Sequence, residues 1–374
     1  MSAVALCHEW LAQRSGSEKT FEAMAAALPD ADLYALTLSR TAEFQLEDRT
    51  VATTFLDRLA PLEGRRALQL PLMPLAWRCA SRQRYEVVVT SSHACAKGFW
   101  PGRTALHLCY CYTPMRYAWL SEVDRRGGPS SAARLASAAF RRWDRASADW
   151  VDEFAAISRA VADRITRFYG RPATVIHPPV DTDFFTPEPS GSREGFALAV
   201  SRMVPYKRLD LALRACSDLG LPLVVAGSGP QEGALRQLAA GIGACVRFVV
   251  DATDRDLRDL YRRARVVVFP AEEDFGIVPV EALACGTPVV ALARGGALDT
   301  VDVPGTGQLV GEQTVDNFAA GIQAVLDEGS DASGCRQSAE RFSIARFQRE
   351  LSGWIAHACA SRGVAAESLC RASR

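Results

Sequence analysis

The sequence predicts an α/β protein in two halves, each alternating short apolar strands with helices. Three observations carry this expectation. A length of 374 residues suits two domains, each large enough for its own core. Short apolar runs such as Val4–Cys7 and Val266–Phe269 recur at intervals that leave room for a helix between them. A Pro-rich polar stretch, Val175 to Pro179 and then Asp181 to Pro189, interrupts the alternation near the middle, as an interdomain linker would.

The first half opens with a strand at Val4–Cys7, a loop around Gln13–Gly16 and a helix over Glu18–Ala27. Further strands are expected at Glu86–Thr90, Ala105–Cys111 and Glu153–Ile157. Ser158 suits the N-cap of a helix over Ala160–Tyr169, which Gly170 ends. In the second half, strands are expected at Phe196–Ser201, Leu223–Ala226, Val246–Val250, Val266–Phe269 and Val289–Ala293. A helix over Phe347–Ala360 closes the chain.

Composition narrows the function. Lys plus Arg and Asp plus Glu stand at 43 each, so no global field favours nucleic acid or an anionic membrane. Apolar residues make up 48% of the chain, yet no stretch is long and uncharged enough to span a bilayer. No basic segment precedes the first strand, so a secretory leader is not expected. The 11 cysteines are scattered, and only Cys109 and Cys111 lie close together, which reads as reduced thiols in a cytoplasm. The five histidines are isolated, so metal ligation has no support.

The most informative segment is Ala271–Val290, AEEDFGIVPVEALACGTPVV. It follows an apolar strand, and Pro279 suits a first helical turn while Gly286 and Pro288 suit its end. Backbone N–H groups around residues 275 to 278 would then point out of the sheet's carboxyl edge, where helix N-termini bind phosphate. Glu273 and Glu281 flank that site. Carboxylates accept hydrogen bonds from hydroxyls and repel bare phosphate, so a ligand carrying both phosphate and hydroxyls fits, as a nucleotide-sugar does. On spacing alone, two glutamates could equally form a solvated helix face.

Set in FG-x-x-P-x-E-A-x-A-x-G-x-P-V-V, the pair resembles the E-x7-E signature of the retaining glycosyltransferases of family 4. That resemblance implies the GT-B fold, two Rossmann-like doubly wound α/β domains with an interdomain cleft that holds the donor. The domains would be residues 1–180, acceptor-binding, and 190–345, nucleotide-sugar-binding, with the helix of 346–374 packing back on the first. By resemblance Glu273 faces the donor sugar's hydroxyls and Glu281 holds the ribose, with Asp274, Phe275, Gly276, Ile277 and Val278 around the phosphate.

Ser201-Arg202-Met203-Val204-Pro205-Tyr206-Lys207 follows the first strand of the second half and resembles the family's R-x4-K motif. Arg202 and Lys207 would hold the diphosphate and stabilise the charge that grows on it, beside Ser201. A solvated basic turn is the plainer alternative. Gly227-Ser228-Gly229-Pro230-Gln231-Glu232-Gly233 is spaced G-x-G-x3-G, a poor match to a dinucleotide fingerprint. It resembles a tight strand-to-helix turn beside the nucleotide, with Gly227 and Gly229 permitting close approach to the ligand. The residue usually glycine near the base is here Val250 or Asp251, which leaves the base open.

In the first half, His8-Glu9-Trp10 and Arg14-Ser15-Gly16-Ser17-Glu18-Lys19 resemble the family's first loop, making Gly16 and Ser17 donor contacts. The loop keeps one glycine where two are common, and Lys19 suits a helix surface equally well. His93, after the Val87–Thr90 strand, either reaches the cleft or is an ordinary loop histidine. Cys111-Tyr112-Thr113-Pro114-Met115-Arg116-Tyr117-Ala118-Trp119 resembles a C-H-T-P-M-R-Y-x-W segment of a bacterial subgroup that builds polysaccharides, often from GDP-mannose. Tyr112 stands where the subgroup has a histidine facing donor sugar and acceptor. It serves by hydrogen bonding alone, or His93 covers the role, or the acceptor differs. Arg116 and Tyr117 would line the acceptor side.

The apolar loop Ala67–Trp77, with Arg65, Arg66, Arg78, Arg82 and Arg84 around it, suits membrane contact, an acceptor channel or plain core packing. The Arg141–Arg145 helix reads as a solvated face. The expected protein is a cytoplasmic, metal-independent, retaining hexosyltransferase, peripheral at the inner membrane face if that loop binds lipid. It takes a nucleotide-sugar, GDP-mannose by the subgroup's resemblance, as substrate and needs no cofactor. A saccharide, lipid-linked or secondary-metabolite hydroxyl would be the acceptor. A nucleotide-sugar 2-epimerase and a non-catalytic nucleotide-sugar-binding protein are the alternatives.

Overall fold

A computed structural model describes residues 3–59, 69–81, 83–100, 105–119, 131–188, 193–301, 303–329 and 331–364. The chain divides into two compact units, one of Met1–Pro179 with Ala345–Arg374, the other of Val180–Ile344. Arg65, Arg66, Arg82 and the side chain of Tyr117 lie outside the described residues.

The first unit holds a seven-stranded parallel sheet. Its strands are β1 (Val4–His8), β2 (Asp32–Ala35), β3 (Val51–Thr53), β4 (Val87–Ser92), β5 (Leu106–Cys111), β6 (Glu153–Ala156) and β7 (Ala173–Val175). They lie in the order β3-β2-β1-β4-β5-β6-β7. Strands β1, β4 and β5 are buried along their whole length, as parallel strands covered on both faces must be. Order reverses between β1 and β4, so the loops leaving their carboxyl ends diverge there and open a crevice. The helix Ile344–Arg362 belongs to this unit over nearly all its length. Phe347 meets Tyr110 edge-on at 5.7 Å, Gln348 donates to the carbonyl of Ala23, and Trp354 donates to Glu153.

The second unit holds a six-stranded parallel sheet in the order β10-β9-β8-β11-β12-β13. Its strands are β8 (Ala197–Val200), β9 (Leu223–Ala226), β10 (Val246–Val249), β11 (Val266–Phe269), β12 (Val289–Leu292) and β13 (Gly307–Val310). Central strands β8, β9, β11 and β12 are fully buried, while the edges β10 and β13 are half-exposed. The reversal point lies between β8 and β11. The loops diverging there are the two that carry Arg202–Lys207 and Glu273–Gly276.

Several expectations are corrected. Val175 ends strand β7 rather than beginning a linker. Residues 181 to 188 pack within the second unit: Phe185 meets Tyr261 edge-on, and Arg336 donates to the carbonyls of Thr182 and Phe185. Polar composition misled because side chains of the second unit satisfy this segment's backbone. The Arg141–Arg145 stretch is not wholly solvated, since Asp144 and Ser147 are fully buried. Asp144 accepts from Lys97, Trp119 and Tyr169, a buried network that offsets the cost of its charge. In the apolar loop, Met73 and Trp77 join the core, whereas Leu72 and Leu75 are exposed. Among the described residues no helix is long and apolar enough to cross a membrane.

Candidate functional site

In the second unit the site is built from four strand exits, those of β8, β9, β11 and β12. After β8, Ser201 to Met203 turns sharply into a short 3-10 segment, Pro205–Lys207. The exit of β9 supplies the floor of that turn. A Cβ at Gly227 would stand 2.1 Å from the Ser201 carbonyl oxygen, and one at Gly229 would stand 2.5 Å from that of Met203. Met203 N donates to the Ser228 carbonyl at 2.8 Å, and Gln231 N donates to that of Met203 at 3.0 Å. The glycines are therefore required by backbone packing against the Arg202 turn. This is a packing reason for the glycines that the sequence reading did not give.

Arg202, exposed, donates to the Tyr206 hydroxyl at 2.9 Å, and the Lys207 ammonium sits 5.2 Å from the centre of the Tyr206 ring. Tyr206 thus spaces the two cations. Lys207 is mostly buried and forms an ion pair with Glu273 Oε1. The two motifs that the sequence places some sixty residues apart meet in this pair.

Glu273 is held from behind by the exit of β12. Its carbonyl accepts from Gly296 N at 2.8 Å, and it bridges to Gly295. A Cβ at Gly295 would fall 2.2 Å from the Glu273 carbonyl oxygen, and one at Gly296 would fall 2.2 Å from the Phe275 Cα. This Gly295-Gly296 clasp went unread in the sequence, although a Gly-Gly pair just past a strand signals close backbone approach. Gly276, with φ of 91°, turns the chain into the helix Ile277–Ala284. That helix begins with Ile277 and Val278 half-exposed and free of acidic residues in its first turn, which leaves its positive end to attract an anion. Asp274 is half-buried. The Phe275 ring packs edge-on against Phe342 at 5.5 Å, so only the backbone of Phe275 can serve a ligand.

Glu281, one helical turn further, is mostly buried, and its Oε2 accepts the Tyr261 hydroxyl proton at 2.8 Å. Burial and the neighbouring carboxylate push the Tyr261 phenol well above its ordinary range, so it stays a donor. Tyr261 in turn is fixed through its carbonyl by the Thr287 hydroxyl at 2.6 Å. Sequence reading missed Tyr261, which looks like any core tyrosine on the helix Asp254–Arg263.

In the first unit, three strand exits converge, those of β1, β4 and β5. Ser15 stands at the N-cap position of the helix Gly16–Ala27, without a side-chain bond to its backbone, and the helix starts two residues before the expected Glu18. Gly16 and Ser17 are thus in its first turn. Glu18 accepts from the hydroxyls of Ser15 and Ser17, and Lys19 is half-exposed. Tyr112 donates its hydroxyl proton to the Ser17 carbonyl at 3.0 Å and accepts from Ser91 Oγ at 3.0 Å. Ser91 has a single proton, so His8 Nδ1, 3.0 Å away, must be the donor to it. That fixes His8 as the neutral Nδ1–H tautomer, with Nε2 buried and unpartnered. Burial, then the nearby His93, holds the His8 imidazole well below its ordinary range, in agreement.

His93 lies in the same cluster, edge-on to Trp10 at 4.7 Å, to His8 at 6.0 Å and to Tyr112 at 6.0 Å. Glu9, fully buried, ties down the turn that carries it: Oε1 accepts from Ser92 Oγ and Ala94 N, on either side of His93, and from Ala96 N. Arg116 is half-buried at the start of the short helix Arg116–Trp119. Among the described residues no group of three or more His, Cys, Asp or Glu could hold a metal ion.

Two doubly wound units, each with its loops gathered at a sheet reversal, define a class, and sequence comparison names it. Residues 14–184 match the family described as Glycosyltransferase Family 4, and residues 181–342 match Glycosyl transferases group 1. The chain belongs to the family 4, group 1 glycosyltransferases. It is 32% identical over 250 residues to a protein named D-inositol 3-phosphate glycosyltransferase 2 from Catenulispora acidiphila, covering 59% of this chain and 57% of that one. A D-inositol 3-phosphate glycosyltransferase from Mycolicibacterium smegmatis is 39% identical over 188 residues, 44% of this chain and 42% of that protein. The chain thus spans about half the length of these relatives. Among solved structures, a sucrose-phosphate synthase from Thermosynechococcus elongatus matches with a TM-score of 0.72 at 18% identity, over 96% of this chain and 100% of that one. Anabaena HepE in complex with UDP matches with a TM-score of 0.68 at 17% identity, over 94% of this chain and 100% of that one. These two likenesses show the GT-B fold.

Proposed function

We propose that the protein transfers a hexose from a nucleotide-sugar to an acceptor hydroxyl, retaining the anomeric configuration and using no metal. The second unit is the donor side. Arg202, Lys207 and the N-terminus of the helix Ile277–Ala284 grip the diphosphate, Glu273 takes the sugar's hydroxyls, and Glu281, aimed by Tyr261, takes the ribose. One observation carries the reading: the cation motif and the acid motif converge in the Lys207–Glu273 pair at the reversal point of the sheet. The names of the matched relatives and the UDP in HepE favour the same chemistry.

Transfer requires the sugar–phosphate bond to break with its electron pair left on the diphosphate. Lys207 and Arg202 stabilise that charge, and the diphosphate oxygen takes the acceptor's proton, so no protein nucleophile is needed. In the first unit, Gly16 and Ser17 approach the donor while His93, Arg116 and Tyr117 serve the acceptor. That acceptor is a saccharide, a lipid-linked sugar or a small polyol such as the inositol phosphate in the relatives' names. GDP-mannose is the donor favoured by the 111–119 segment. The scattered cysteines of the sequence favour a cytoplasmic setting.

A thermal-shift panel of GDP-, UDP- and dTDP-sugars identifies the donor, because selective binding raises apparent stability by mass action. Transfer assays with that donor then test the roles. Lys207→Ala and Glu273→Ala should each lower turnover by about a hundredfold or more, as loss of one charge-stabilising group does. Turnover within a few-fold of wild type in both would overturn the reading.

A further inference from the structure

We infer that Glu273 makes the site discriminate against the nucleoside diphosphate product, by competing with it for Lys207. This rests on the glycosyl-transfer reading above. The carboxylate already occupies the Lys207 ammonium, with side-chain exposures of 24% for Glu273 and 11% for Lys207, so solvent and salt screen the pair weakly. Nor can Glu273 retreat with its backbone. The bridge to Gly295, the hydrogen bond from Gly296 N, and the lack of space at both glycines fix that segment. A carboxylate on an anchored backbone therefore stands beside the cation that any diphosphate must reach.

The two ligands meet this charge differently. A nucleotide-sugar brings hydroxyls that donate to the carboxylate when the ammonium turns toward phosphate, so Glu273 exchanges one partner for another. A nucleoside diphosphate brings no hydroxyl there, and carries one more negative charge than the donor because the bond to sugar has been replaced by a free phosphate oxygen. It must take Lys207 from Glu273 without compensation. The pair thus biases the site toward substrate and speeds departure of product.

Calorimetric titration of UDP and GDP, and of their hexose conjugates, into wild type, Glu273→Gln, Lys207→Gln and the double variant tests this. Glu273→Gln should bind the preferred nucleoside diphosphate roughly three- to tenfold more tightly than wild type, the range a partly buried ion pair spans. It should bind the nucleotide-sugar more weakly. Most of the gain should vanish in the Lys207→Gln background, because the competition is then gone. Glu273→Asp, which retracts the carboxylate while keeping its charge, should move affinity in the same direction by less, and serves if the Gln variant does not fold. Diphosphate affinity unchanged or weakened in both Glu273 variants, with sugar transfer by wild type intact, sinks this inference alone. A wild type that binds neither nucleotide nor transfers sugar overturns it together with the reading beneath it.

Discussion

Tyr261 and Glu281 form a buried donor–carboxylate pair at 2.8 Å that joins the helix Asp254–Arg263 to the helix opening on the anion site. Tyr261 has no accessible surface, so its effect on a ligand runs through Glu281. Tyr261→Phe removes the donor and costs about 1–3 kcal/mol of stability. Under the proposed function it raises the donor KM more than it lowers kcat, because the carboxylate loses its aim and not its charge. Urea unfolding and steady-state kinetics check both effects.

The three glycines of the β9 exit separate by their surroundings. Gly227→Ala and Gly229→Ala place a methyl against backbone oxygen at positions with φ of +134° and +153°. Each should cost more than about 2 kcal/mol, through steric strain and an unfavourable φ. Each should also abolish the nucleotide-induced thermal shift, because Ser201–Met203 moves. Gly233 meets nothing within 4 Å and lies in the helix Glu232–Gly241, so Gly233→Ala should stabilise by roughly 0.5–1 kcal/mol.

Tyr112→Phe breaks the link from Ser91 to the Ser17 carbonyl while keeping the ring. Stability should fall by about 1 kcal/mol. The larger effect should be a higher donor KM, since the first turn of the Gly16–Ala27 helix loses its tether. An unchanged KM would mean that this turn needs no help from Tyr112.

Acid should loosen the first unit in a defined window. Burial drives the His107 imidazole down to about 4, from an ordinary value of 6.5. Between those values the unfolded chain binds the proton and the folded chain does not. The contribution is therefore intact above pH 6.5 and lost as pH falls toward 4. The gap corresponds to about 3 kcal/mol in full. His107→Gln should flatten the stability profile over that window in chemical denaturation.

Asp144→Asn tests the buried network on the helix Ser131–Ala148. Lys97, itself buried, would lose its counter-charge, at a cost of about 3–5 kcal/mol. Soluble yield and the midpoint of thermal unfolding report the loss.

The donor-side motifs were legible because each lies in one loop and carries its chemistry in residue type: two cations, two acids, a glycine before a helix. What supports them was not. Tyr261 reaches Glu281 across 20 positions of sequence, and nothing in its helix distinguishes a hydroxyl that finds a carboxylate from one that finds a carbonyl. Strands β2, β3, β7 and β13, all but β2 at a sheet edge, escaped because each has three or four residues and little apolar alternation. The early start at Gly16 was signalled by Ser15 and Glu18 at N-cap spacing, which the glycine obscured. For Tyr112 the sequence left three roles open, and the side-chain bonds show a brace between Ser91 and Ser17.

The Gly295-Gly296 clasp ties two surface loops into one heritable unit. Because main chain rests on main chain, neither can be lengthened, shortened or grafted from another protein by itself without prising the other loose. Attempts to retune which sugar is accepted should therefore exchange residues 270–276 and 293–297 together, as a matched cassette.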